Sequence, residues 1–210
     1  MRVVAASRSR VPWSSRVPLN LRSRQTAAVC DRLFGDAWRA LDPEIPVLLT
    51  RDVNGPDVVA RLEAEGGDLL LDHGGALVRS AVLACAPLAL NLHWGLSPWY
   101  RGTRCTEWAL LDGDSGNIGV TIHRLAARID GGAIVAQARA RIDAADTVTS
   151  INMQLSRLGT ELVTRILARL ARGAPLRFVA QDPSLGSLRL ERHWSPELRR
   201  RLDRLLRGGG

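Results

Sequence analysis

Short apolar runs alternate with amphipathic stretches along the chain, and glycine and proline separate them. Pro46-Val47-Leu48-Leu49-Thr50 and Asp68-Leu69-Leu70-Leu71-Asp72 have the length and apolar content of buried strands. Pro87-Leu88-Ala89-Leu90, running into Asn91, is a third. Helical patterns lie between them. Asn54-Gly55-Pro56 is a turn that starts the first helix, with Pro56 suited to the first helical position. Val58, Val59 and Leu62 supply its apolar face, and Gly66-Gly67 stops it. Residues 77–85 read as the second helix. Strand, helix, strand, helix, strand at this spacing predicts an α/β fold, a parallel sheet with covering helices.

Further along, residues 107–111 read as helical, and Asp112-Gly113-Asp114-Ser115-Gly116-Asn117 is a turn cluster. Ile118-Gly119-Val120-Thr121-Ile122-His123 is a strand, and residues 126–132 form a loop that carries Asp130. Residues 134–142 alternate apolar with polar for most of their length, as a half-exposed antiparallel edge strand would. Ile151, Leu155, Leu158, Leu162, Ile166 and Leu170 recur at steps of three and four and predict a long helix. Asp146, Thr147 or Thr149 is placed to cap its start, and Gly173 and Pro175 mark its end. Residues 187–192 suggest a strand, and Ser195-Pro196-Glu197 starts a last helix with Ser195 as its cap. The beginning is weaker. A helical pattern covers 25–41, but before it Arg, Ser and Pro crowd the chain, and Val3-Val4-Ala5-Ala6 is the one candidate strand fragment.

Length and composition suit a globular domain with a real core. No apolar run is long enough to span a bilayer, and the N-terminus lacks a signal-peptide pattern, so the cytoplasm is the expected compartment. The net charge is +8 and every basic residue is arginine. The arginines are dispersed and not striped on one face, which disfavours a nucleic-acid surface. With no lysine, Schiff-base chemistry and a Walker-type phosphate loop are excluded. Three cysteines (Cys30, Cys85, Cys105) and four scattered histidines give neither a disulfide framework nor metal-ligand spacing, so no metal is expected. His73-Gly74-Gly75 follows a strand but lacks the Gly-x-Gly-x-x-Gly spacing of a dinucleotide fold. His123, at a strand end, and His73, in a turn, read as structural.

The chemistry concentrates in Asn91-Leu92-His93-Trp94-Gly95-Leu96-Ser97-Pro98-Trp99-Tyr100-Arg101-Gly102. Asn91 and His93 are two apart on a strand and so face the same side. An amide and an imidazole at the carboxyl end of a strand form a plausible catalytic edge of an α/β sheet.

This stretch resembles the Asn-x-His-x-Ser-Leu-Leu-Pro-x-x-Arg-Gly signature of folate-dependent formyltransferases, which include glycinamide ribonucleotide, methionyl-tRNA and sugar-amine formyltransferases. Ile118-Gly119-Val120-Thr121-Ile122-His123 and Ile129-Asp130-Gly131-Gly132-Ala133-Ile134 are similar to the family's second signature, Gly-x-Thr-x-His followed by Asp-x-Gly-x-Ile. The likeness covers residues 46–173. It implies a Rossmann-like, mostly parallel sheet with helices on both faces, of formyltransferase type. It also implies transfer of a formyl group from 10-formyltetrahydrofolate to a primary amine of a small molecule, an amino sugar or an amino-acid-derived amine. Asn91, His93 and Asp130 are the implied catalytic residues. His73, Gly74, Gly75, Leu77, Ala127 and Ile129 are the implied folate-binding positions.

There are departures. Ser-Leu-Leu-Pro is here Gly95-Leu96-Ser97-Pro98, so one hydroxyl is lost and another sits two places on. Residues 1–45 form a poorly defined segment that does not supply the strand–helix–strand unit with which the family begins. The fold is therefore expected to be incomplete there. Residues 46–173 are the expected catalytic domain and 174–210 a short strand and helix tail. A catalytically impaired binding protein, or a tRNA-directed formyltransferase, stands as the alternative, and a homo-oligomer is left open.

Overall fold

The computed structural model describes residues 5–7, 47–74 and 77–207. The helical pattern at 25–41, the strand candidates Val3 and Val4, Cys30 and Gly75 lie outside the described residues. The chain divides into two compact units, Met1–Ala89 and Leu90–Gly210.

In the first unit, β1 (Ala5–Ser7) pairs in parallel with β2 (Val47–Leu49). The opening segment therefore does contribute a strand, at the fragment its apolar residues suggest. Helix α1 (Pro56–Glu65) starts with proline in its first turn and buries Val58. Gly66 closes it at φ +60, a conformation that costs glycine nothing, and its N–H returns to Leu62 O at 3.0 Å. β3 (Leu69–Asp72) follows. Helix α2 spans only Ser80–Leu83, shorter than the pattern over 77–85 predicts. The reason is a side chain from a distant part of the chain. Asn54 donates from Nδ2 to Leu77 O at 2.9 Å and accepts from Arg79 N at 2.6 Å through Oδ1. This amide holds Leu77 and Arg79, and Arg79 is extended, so the helix begins after it.

The second unit is built on antiparallel strands. β4 (Leu88–His93) runs into it and pairs with β6 (Gly119–Arg124), which pairs with β7 (Ile134–Arg139). The expected edge strand is thus antiparallel, and the α/β fold combines parallel and antiparallel pairing. Alternation sorts the side chains by face. Leu92 of β4 and Val120 of β6 pack with Ile151 and Leu155 of helix α4 (Val148–Ala171). α4 lies so close to β4 that a Cβ on Gly159 would meet Leu92 Cδ2 at 2.9 Å. On the opposite side stand Asn91 and His93 of β4, facing His123 and Thr121 of β6.

Of the three candidate caps for α4, Thr147 is the one used. Ser150 N donates to its hydroxyl at 3.1 Å, and Ser150 Oγ accepts from Thr147 N at 2.9 Å. Replacing Thr147 with alanine is expected to cost about 1 kcal/mol of stability, read as a lower urea midpoint at unchanged slope.

The rest of the unit closes around these strands. β5 (Tyr100–Gly102) leads into α3 (Cys105–Leu111). β8 (Ser187–Arg189) pairs in parallel with β5, and α5 (Pro196–Leu206) buries Leu202 in the same core as Trp108 and Leu111 of α3. Among the described residues no helix is long and apolar enough to cross a membrane.

Candidate active site

The register of β4 on β6 sets Asn91 directly opposite His123 and His93 opposite Thr121. Four polar side chains therefore share one face of two neighbouring strands, and all four are buried. The loop after β6 brings Asp130 to this face. Asn91 Nδ2 donates to Asp130 Oδ1 at 3.1 Å. His93 Nδ1 lies 3.5 Å from Asp130 Oδ2, and His123 Nε2 lies 3.4 Å from Oδ1. Gly102 N donates to Oδ2 at 2.7 Å. The three residues named from the motifs are together, although Asp130 is far from the others in sequence.

Burial alone would push the Asp130 carboxyl upward. The His123 contact, the charge of His93 and the Gly102 amide outweigh it and hold the group below the usual carboxylate range. Asp130 is thus an anion placed among donors.

His93 has acceptors at both ring nitrogens. Nε2 lies 3.0 Å from Tyr100 O, and Nδ1 faces the Asp130 carboxylate. A ring with two N–H groups satisfies both. Cys105 Sγ lies 3.6 Å from Nε2. Burial, with the charges of Asp130 and Glu107, pushes this thiol up, so it stays neutral beside the ring. Asn91 donates to Asp130, and its Nδ2 also lies 3.3 Å from His123 Nε2. Its Oδ1 is buried with no hydrogen-bond partner among the described residues. A buried acceptor left unpaired costs free energy and calls for a donor.

Gly95 shapes the imidazole's position. A Cβ there would meet His93 Nε2, Tyr100 O at 2.7 Å and Cys105 Sγ at 2.9 Å. The hydroxyl missing from the motif at this position therefore has no room here. Gly95→Ala is expected to cost about 1–3 kcal/mol through overpacking, seen in a denaturant titration. The loop itself is tied down by Thr121, whose Oγ1 donates to Gly95 O at 2.7 Å and accepts from Ser97 N at 3.0 Å. Gln137 Nε2 adds a bond to Ser97 O at 2.6 Å.

The other candidate positions divide between the units. His73 and Gly74 follow β3 in the first unit, exposed, with Gly74 at φ +63, and Leu77 is 57% exposed. Ala127 and Ile129 sit exposed on the loop that carries Asp130. Arg104 is salt-bridged to Glu191 at 2.8 Å, and Arg101 is buried and donates to Pro183 O at 3.2 Å. Among the described residues no His, Cys, Asp and Glu group is arranged to hold a metal ion.

Two residues of the site escape a reading of the sequence. His123 reads as structural because strand register is invisible in one dimension. Its spacing of two from Thr121, within the second signature, was the available signal. Gln181 donates to Asp130 O and Gly132 O at 3.0 and 2.6 Å from a segment without any motif.

The sequence matches the formyl transferase family over residues 48–167. The chain belongs to this family. Its enzymatic class, formyl-group transfer, follows from that membership. This formyltransferase is similar to a Mycobacterium tuberculosis protein whose assignment as a sugar N-formyltransferase is provisional. Identity there is 26%, over 80% of this chain and 71% of that one, with a TM-score of 0.56. It shares its fold with the formyltransferase PseJ of Anoxybacillus kamchatkensis, solved with UDP-4,6-dideoxy-4-formamido-L-AltNAc and tetrahydrofolate. That match has 21% identity over 70% and 76% of the two chains, with a TM-score of 0.60. A sugar N-formyltransferase from Shewanella sp FDAARGOS_354 has the same fold at 18% identity, over 98% and 87% of the two chains, with a TM-score of 0.62.

Proposed function

We propose that this formyltransferase moves a formyl group from 10-formyltetrahydrofolate to the primary amine of a small molecule, an amino sugar, and that Asn91, His93 and Asp130 carry the reaction. The observation behind this reading is the convergence of an amide, an imidazole and an anionic carboxylate on one buried sheet face. Intact convergence argues against an impaired binding protein. The amino sugar is preferred because two structural relatives bear sugar N-formyltransferase names, one of them provisional.

The donor supplies a carbonyl carbon bonded to nitrogen, and transfer builds negative charge on its oxygen. Against that charge the chain sets the His93 N–H and the Asn91 amide. The 3.3 Å contact of Asn91 Nδ2 with His123 is long, so the hydrogen on that side is the more weakly held of the two. Asn91 Oδ1, without a partner among the described residues, accepts an N–H from the amine and orients its lone pair. Asp130 sustains the charge on His93. His93, its charge balanced by Asp130, gives a proton to the departing nitrogen and recovers one from the acylated amine, so the site ends as it began. Exposed Ala127 and Ile129, on the loop that carries Asp130, fit a flat ring with hydrogen-bonding edges.

The test is tetrahydrofolate binding by calorimetry, followed by tetrahydrofolate release with nucleotide-linked amino sugars, free amino sugars and amino-acid amines. Release with an amino sugar supports the proposal. Absence of folate binding and of turnover with every amine sinks it.

A further inference from the structure

We propose that Gln181 is a positioning residue for Asp130, and that segment 179–189 is a strap belonging to the active site. This deepens the proposed function and rests on its assignment of Asp130.

Asp130 adopts φ +46, a left-handed conformation that is unfavourable for a residue with a Cβ. Something must hold it. Gln181 Nε2 donates to Asp130 O at 3.0 Å and to Gly132 O at 2.6 Å. One amide nitrogen thus spans both carbonyls of the turn that carries the left-handed residue. Gln181 Oε1 is buried with no partner among the described residues. The side chain is held for its donor end, at the expense of its acceptor.

The strap has fixed points on both sides of Gln181. Val179 exchanges two backbone bonds with Ile134, at 2.7 and 2.9 Å, where β7 leaves the Asp130 loop. Arg101 Nη2 donates to Pro183 O at 3.2 Å. Ser187 N donates to Trp99 O at 3.0 Å, and Thr103 N to Arg189 O at 2.8 Å. Approach is close enough that a Cβ on Gly186 would meet Pro98 O and one on Gly102 would meet Arg189 O. The strap therefore ties the loop after β4 to the loop after β6. Gly102, whose N–H donates to Asp130 Oδ2, is registered by β8. Both the backbone and the carboxylate of Asp130 are set by one segment, which lies beyond the stretch matched to the family.

The experiment compares Gln181→Met, which keeps the volume and loses the donors, with wild type in two readouts. In the free protein, exchange of the Gly102 amide is expected to quicken about tenfold or more as Asp130 loosens. In the assay, kcat is expected to fall about 10–100-fold with both KM values within about threefold, because misplacement acts on the reacting geometry. Combined with Asp130→Asn, Gln181→Met is expected to add less than about twofold. Unchanged Gly102 exchange overturns the proposal, as does a kcat loss that multiplies in full on Asp130→Asn. If wild type transfers no formyl group, the function fails while the exchange readout still decides the strap. Should Gln181→Met not fold, Gln181→Glu is read the same way, since it keeps the size and sets a carboxylate against the two carbonyls.

Discussion

Exchanging Asp130 for asparagine is expected to lower formyl transfer by about 10²–10³-fold while leaving folate binding within a few-fold. The carboxylate meets four groups: Asn91 Nδ2 and His123 Nε2 at Oδ1, Gly102 N and His93 Nδ1 at Oδ2. An asparagine presents one acceptor oxygen, so its NH2 must face two of these donors. It also removes the charge that sustains an imidazolium at His93. Steady-state kcat and a folate titration on the variant check the split.

The same substitution has a stability signature. The folded protein holds the Asp130 carboxyl below its ordinary value, so the folded state favours the anion more than the unfolded chain does. The stability this contributes is present above the unfolded value of about 4 and is lost as pH falls through the lower folded value. Urea midpoints of wild type are expected to decline across that acid window more steeply than those of Asp130→Asn. Equal slopes would show that the carboxylate is not held by its neighbours.

His93→Ala carries the second large effect, a fall in kcat of about 10²–10³-fold with KM little changed. The ring is able both to donate to a developing oxyanion and to move a proton. Its removal also leaves Asp130 Oδ2 with the Gly102 amide as its remaining close donor. Retention of full turnover by this variant would remove His93 from the mechanism. Near-wild-type turnover of Asp130→Asn beside a large loss in His93→Ala would leave the imidazole active without its carboxylate.

Much of this site is readable from one sequence because its parts obey short-range rules. Asn91 and His93 share a face because strands have period two, and the apolar run before them marks the strand. Thr147 and Ser150 form a local cap, so the start of α4 follows from residues adjacent in the chain. The motif pair identifies Asp130 through the family resemblance, where spacing alone does not. What escapes is long-range. The pairing of Asn91 with His123 depends on register between β4 and β6, and Gln181 reaches Asp130 from 51 positions away. The shortening of α2 has the same origin, since the Asn54 amide that holds Leu77 and Arg79 acts across a turn of chain no periodicity reports.

The most direct test of the account is a single turnover with 10-formyltetrahydrofolate labelled in its formyl carbon, purified protein in excess, and an amino sugar carrying a free primary amine. The account predicts that the label appears on the sugar nitrogen as a formamide with wild type. It also predicts that transfer slows by at least about 10²-fold in His93→Ala and in Asp130→Asn. Label released as formate with none on any amine, or equal transfer by wild type and both variants, would contradict it.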